Sequence, residues 1–518
     1  MQYSEDIIAL INSLSRSEKR YFKLFSSRNR SENHYIKLFD LFCKTGTADE
    51  QAIKKLYKGE KFNAEQFRVY KHRLYEQILK SLNSYDSQQS ADTILKELIG
   101  QASVLYRKAF YKSASNILLK AKKIALKNEK HVQLLDILHL EKKIIASMQY
   151  DGIDENRLLS LYETEEAIIG KIKNTNDYWK LCADMFRTYR AYGTAQARES
   201  IDFYHSLMNA SLSGIKEEAL TFEAKRNLYF AYISYSMGIN DLAGSYTYSR
   251  KMIALLEDHP EQIEDNPGIY GSALSNFLYI LKDIKNYKEF LANLSKTKDF
   301  LYKYRSKLTE NLRSSVLFNF YNLEIAYYLD TGQSYKALAL LPVIREEINT
   351  HQIKLSKLYE LLFHSNIALI YFGMEDYHQS LISLHKVLND TTKDLRHDIY
   401  SSARILQLIL HFEIGNEDLL SYLVKSVYRE LIKRKRLHEK EKVFIKFIRL
   451  RLPEIKNEKD QVEALKNLKE ELVRIKQDDL SEIRSVEFFE IISWLESKIE
   501  KRSFEEILRE KSGYVLEK

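Results

Sequence analysis

Breakers are scarce in this 518-residue chain, which holds 4 Pro and 15 Gly. Those two residues supply most of the backbone angles that tight reversals need, so a β-rich fold with many turns is excluded. Cysteine is scarcer still, with Cys43 and Cys182 alone. Two thiols so far apart, neither in a Cys-x-x-Cys pair, cannot frame a disulfide scaffold. They read as small apolar side chains in a reducing compartment. Long apolar runs are missing too, since nothing approaches the ~18 residues of a membrane span. The opening Met1-Gln-Tyr-Ser-Glu-Asp is acidic and lacks an apolar segment, so it does not read as a signal peptide. The expected setting is cytoplasmic, without a membrane partner.

Chemical motifs are absent in the same way. No Gly-x-x-x-x-Gly-Lys-Ser/Thr or Gly-x-Gly-x-x-Gly loop occurs, which excludes phosphate cradles of those types. No His-Glu-x-x-His pair and no Gly-x-Ser-x-Gly elbow is found. His378 and His385 stand seven apart, about two helical turns and too far for one metal ion, so they read as solvent-facing or hydrogen-bonded. The expectation is a protein with no cofactor, no metal and no catalytic residues.

What is present points to helices. Hydrophobic residues make up 45% of the chain and charged residues 29%, a mixture that suits amphipathic helices. Tyrosine is abundant, with 36 copies, and suits packing in which the ring is covered and the hydroxyl stays wet. The fold class is all-α. At this length a single core is improbable on surface-to-volume grounds, but a repeat array escapes that limit because each unit packs only on its neighbours.

The formal charge of +8 is uneven. Residues 1–86 carry 16 Lys/Arg against 11 Asp/Glu, and residues 425–452 carry 11 against 3, so the remainder is mildly acidic. Lys433–Arg451 reads either as a basic solvated helix or as an anionic docking surface. Phe444, Ile445, Phe447 and Ile448 favour the former, because the same helix must also bury a face.

Residues 1–86 form an N-terminal helical domain. Ser15–Glu18, Thr47–Glu50 and Asn63–Gln66 are capping-box patterns. The apolar stripes Leu38/Phe39/Phe42 and Phe67/Tyr70/Leu74/Ile78/Leu82 have helical spacing. Residues 86–91 read as a linker. From 91 to 433 the chain alternates helices with short polar breaks at Phe110-Tyr111, Gly238–Asp241, Lys285–Tyr287, Gly332–Ser334, Met374–Tyr377 and Gly415–Asp418. Small or apolar residues follow each break, as in Ala114/Leu118/Ala121 and Ala337/Leu341/Ile344. Aligning Ala243, Phe290, Ala337, Ser380 and Leu420 gives steps of 47, 47, 43 and 40 residues. Helices are expected at 131–149, 155–172, 178–192 and 198–212, with a large loop at His259–Gly268. Residues 434–518 read as a polar-faced helical cap.

The clearest hairpin is Asn366–Asn389. Ala368, Tyr371, Asp376-Tyr377 and Ser380 fall where a tetratricopeptide repeat has its small, aromatic, turn and small residues, although Leu384 replaces its usual Phe. The chain resembles that family in a divergent form with long repeats. The resemblance implies a right-handed α-solenoid of helical hairpins, and a peptide or protein partner bound on the inner surface made by the first helix of each hairpin. Carried onto this chain, the inward positions are Tyr232, Tyr235, Tyr279, Asn319, Asn322 and Phe372. Asn319 and Asn322 have no helix-propensity reason to sit on a helix face, and their amides suit a peptide main chain. The expected function is a non-enzymatic scaffold.

An alternative rests on residues 48–84, which loosely resemble the helix-turn-helix part of winged-helix regulators. Arg68, Lys71 and Tyr75 fall on one face and, with Arg73, would then contact nucleic acid, and the solenoid would sense a ligand or peptide. Glu65 and Glu76 dilute that face, and no β-hairpin follows. Oligomeric state is left open.

Overall fold

A computed structural model describes residues 2–14, 16–27, 33–45, 64–86, 91–195, 198–215, 217–305, 307–350, 357–390, 397–433, 439–452, 455, 457–478 and 490–513. The described residues form 24 α-helices and one π-helical turn, with no strand among them. None of these helices is long and apolar enough to cross a membrane. The chain divides into two units, Met1–Lys173 and Asn174–Lys518.

The first unit holds α1 (Gln2–Ser13), α2 (Arg16–Ser27), α3 (Asn33–Thr45), α4 (Ala64–Asp86), α5 (Ala91–Arg107), α6 (Tyr111–Lys127), α7 (His131–Ser147) and the start of α8 (Glu155–Tyr192). Phe22, Leu38, Phe39, Phe42, Leu74 and Ile78 form one core, with the Phe22 and Phe39 rings 4.4 Å apart. A second core gathers Leu95, Ala114, Leu118, Ala121 and Leu134. The short residues Ala114 and Ala121 are fully buried, as close helix approach requires. The capping residues Ser15, Thr47 and Asn63 lie outside the described residues.

The second unit opens with the rest of α8, then α9 (Arg198–Ser213). Five hairpins follow: α10 (Phe222–Gly238) with α11 (Leu242–Glu257), α13 (Pro267–Asp283) with α14 (Tyr287–Tyr304), α15 (Glu310–Asp330) with α16 (Ser334–Thr350), α17 (Lys357–Gly373) with α18 (Tyr377–Leu388), and α19 (His397–Ile414) with α20 (Glu417–Lys433). α11 packs on α13, and the first helices α13, α15, α17 and α19 then pack on one another in sequence order. In the hairpin that shaped the sequence argument, Ala368 and Ser380 are fully buried, and the Ser380 hydroxyl donates to the Ala368 carbonyl at 2.7 Å.

Seven turns share one construction. A residue with φ between 50° and 77° follows each helix: Ala109, Glu129, Asn240, Lys285, Gly332, Glu375 and Gly415. The next residue donates its amide to the carbonyl five positions back, as Asp376 does to Tyr371 at 2.9 Å and Asn286 to Leu281 at 2.9 Å. This is the Schellman ending. That same residue is the N-cap of the following helix, and Asp241, Asn286 and Asp376 accept a backbone N–H there with their side chains.

Three expectations need correction. The break placed at 173–177 does not occur, because α8 runs unbroken for 38 residues. The polar residues there hold a neighbouring segment instead. The Asn174 amide donates to the Glu218 carbonyl at 2.9 Å and accepts from the Leu220 N–H at 3.0 Å, while Thr175 meets Thr221 at 2.9 Å. The repeat register also shifts. Ser245, fully buried and four residues after its N-cap, occupies the position assigned to Ala243, which is exposed. The His259–Gly268 loop contains α12 (Pro260–Asp265), and Pro260 and Pro267 each begin a helix at a position where no N–H is needed.

Of the basic segment, residues 434–438 lie outside the described residues, while Glu439–Lys446 forms α21 and Phe447–Arg451 a π-helical turn. Phe444, Ile445, Phe447 and Ile448 are buried, in line with the structural expectation for this helix. After α22 (Glu458–Asp478), α23 (Ile491–Glu500) and α24 (Phe504–Ser512) do more than end a stack. They return to the hairpin turns. Glu505 accepts the Ser334 N–H at 2.6 Å, Arg509 donates to the Gly332 carbonyl at 2.8 Å, and Phe504 meets Phe372 edge to face at 5.3 Å. Trp494 and Lys498 both donate to Glu413 at 2.5 Å.

Candidate functional site

Five of the six first-helix residues singled out from the sequence fall into two groups. Tyr232 and Tyr235, on α10, are half-buried beside a core of Tyr178, Leu181, Met185 and Ala231. Tyr232 stacks on Tyr248 with ring centres 4.2 Å apart and planes 5° from parallel. The Tyr235 hydroxyl lies 2.5 Å from His205 Nδ1. Burial, then the neighbouring Tyr232 and Asp241, push the Tyr235 phenol above its ordinary range, so it stays a neutral hydrogen-bonding group.

Tyr279, Asn319 and Asn322 lie on α13 and α15. The Asn322 amide nitrogen is 3.5 Å from the Tyr279 hydroxyl, and the Asn322 carbonyl oxygen accepts from Asn366 at 2.6 Å. Asn366 is buried, Asn322 half-buried and Tyr279 partly exposed. One polar row therefore runs across three successive first helices, α13, α15 and α17, in steps of 43 and 44 residues. Asn319, one turn before Asn322 and half-buried, has no hydrogen-bond partner among the described residues. Asn366 is the member the sequence argument missed. Its 44-residue distance from Asn322 was a usable signal.

Phe372 does not belong to a surface. It is 1% exposed and packs on Tyr377 and Phe504. Its position on a first helix suggested an inward face, but α24 covers it.

On α4, Arg68 and Arg73 are exposed, while Lys71 lies over the Phe67 ring at 4.4 Å and Tyr75 packs against the core. Burial, then the positive charge of Arg68, lower the Lys71 pKa. Arg73 is five residues from Arg68, about 140° around the helix, so it lies off the face that Arg68 shares with Lys71 and Tyr75. The helix that would precede them in a helix-turn-helix lies outside the described residues.

Among the described residues no cluster of three or more His, Cys, Asp or Glu could hold a metal ion. His378 and His385 are exposed. Cys43 and Cys182 are free and half-buried, and burial raises both thiol pKa values. No known protein family, no curated protein and no solved structure matches the chain.

Proposed function

We propose that the chain is a non-enzymatic adaptor built as a right-handed stack of tetratricopeptide-like hairpins, and that its first-helix face binds an extended peptide segment of a protein partner. The polar row Tyr279–Asn322–Asn366, with Asn319 beside it, supports this reading. Asparagine amides offer a donor and an acceptor together, which matches a peptide unit, and an extended main chain presents such units at regular intervals. Asn366 and Asn322 brace each other, which leaves Asn319 as the member available to a ligand.

Two substitutions separate binding from support. Partners would be captured from the native host with the full-length chain. Asn319→Ala should then weaken capture by about 1–3 kcal/mol, the cost of leaving a partner group unpaired, with an unchanged melting temperature. Asn322→Ala should lower the melting temperature, because it strips the acceptor from buried Asn366. Unchanged affinity and stability in Asn319→Ala would remove the amide row from the binding face.

A further inference from the structure

The hairpins repeat a notch between two consecutive first helices and the second helix between them. At α15–α16–α17 it is lined by Phe318, Asn322, Ile325, Ile344, Phe363 and Asn366, and only about 20 Å³ is left. At α10–α11–α13 the corresponding notch is a cavity of about 300 Å³. Counting from the N-caps shows that these are equivalent sites. Arg226, Phe230 and Ile233 precede Asp241 by 15, 11 and 8 residues, as Phe318, Asn322 and Ile325 precede Gln333. Ala273 and Asn276 precede Asn286 by 13 and 10, as Phe363 and Asn366 precede Asp376. The first notch is open because Ala273 stands where Phe363 does, and because Arg226 stands where Phe318 stacks on Tyr359 at 4.1 Å.

The open notch is amphipathic. Phe230, Ile233, Met252, Ile269 and Leu312 supply an apolar wall, while Arg226, Ser249 and Asn276 supply polar groups. The Ser249 side chain is 3% exposed, and its hydroxyl has no hydrogen-bond partner among the described residues. Two other buried hydroxyls on these helices return to a backbone carbonyl, Ser245 to Asp241 and Ser275 to Gly271. A buried, unpaired hydroxyl facing a cavity calls for a partner. Arg226 engages Glu223 through Nε and Nη2 and also donates from Nη2 to the Asn227 side-chain oxygen at 3.3 Å, and no partner for Nη1 occurs among the described residues. Glu223 is nearly half exposed, so it can turn to water and yield the guanidinium to a second carboxylate.

We infer that this notch binds a small monocarboxylate with an apolar body. Its volume corresponds to about ten waters of liquid, hence a ligand of about ten non-hydrogen atoms. The carboxylate would pair with Arg226, an oxygen would accept from Ser249, and the body would lie on Phe230 and Met252. The assignment stands whether or not the first-helix face binds a peptide.

Octanoate is a probe of the right size, and octanol is its uncharged match. Calorimetry on the full chain should show one saturable octanoate site, with octanol at least about tenfold weaker. Arg226→Met should weaken octanoate by a similar factor. Ala273→Phe, which installs the side chain found in the filled notch, should abolish binding. The inference is overturned if octanoate does not saturate, if octanol binds equally well, or if a folded Ala273→Phe chain binds octanoate unchanged. Should Ala273→Phe not fold, undiminished binding by Arg226→Met overturns it instead.

Discussion

Ala109 adopts φ 60° in the turn between α5 and α6, a conformation in which a Cβ crowds the following carbonyl. Five of the seven Schellman turns place a side-chain-bearing residue at this position. Gly332 is a contrasting case, since a Cβ there would strike the Glu505 carbonyl and Arg509. Glycine is needed at 332 for the seating of α24 as well as for its own φ. Ala109→Gly should therefore stabilise the first unit by about 0.5–1 kcal/mol, read as a higher urea midpoint at unchanged slope. A lower midpoint would mean that the gain in unfolded-chain entropy outweighs the relief.

Glu264 shows what one carboxylate does for its element. It accepts from Tyr304 at 2.6 Å and Lys307 at 2.8 Å and pairs with Lys303 at 3.0 Å, fastening short α12 to the end of α14. The hydrogen bonds from Lys307, Tyr304 and Lys303 lower its pKa to about 2. A depressed carboxylate contributes stability above its unfolded pKa and loses it as pH falls through the folded one. The loss therefore lies between about pH 4.5 and 2. Glu264→Gln should flatten the fall of melting temperature across that window and leave its shape above pH 6 unchanged. An acid limb as steep as that of the wild type would show that the carboxylate is not held as described.

Elements were legible in the sequence where apolar spacing and turn residues agreed. All six breaks read from residues between 110 and 418 separate helices, and the buried Ala114, Ser380 and Ala337 match the small-residue positions. The reading failed at 173–177, where Asn and Thr resemble a turn until their partners at 217–221 are known. No helix-breaking residue stands there, so propensity alone could not stop α8. For the candidate site, the amide chemistry of Asn319 and Asn322 on a helix face is legible in the sequence, and both lie half-buried on α15. Phe372 could not be judged, because its cover comes from Phe504, far along the chain. Asn174→Ala should cost about 1–3 kcal/mol by orphaning Glu218 and Leu220 backbone groups, measurable by chemical denaturation. A change below about 0.5 kcal/mol would show that water replaces the side chain.

In the second unit the hairpins do not depend on near neighbours alone. Glu505 and Arg509 satisfy backbone groups of the α15–α16 turn across 171 and 177 residues, and Phe504 closes over the α17 end. A simple repeat array would confine a lesson in one repeat to its neighbours. Here Arg509→Ala should destabilise the unit by about 1.5–3 kcal/mol and speed hydrogen exchange at amides 331–336. Unaltered exchange there would show that the turn stands without its brace. The same distance sets an order in time. During synthesis Gly332 is made long before Glu505, so the nascent turn must keep its carbonyl and the Ser334 amide in water until α24 arrives. That late closure is slow in the way that distant contacts are slow. A chain halted between 390 and 500 should be cut by proteases at 331–336, a segment the finished chain protects.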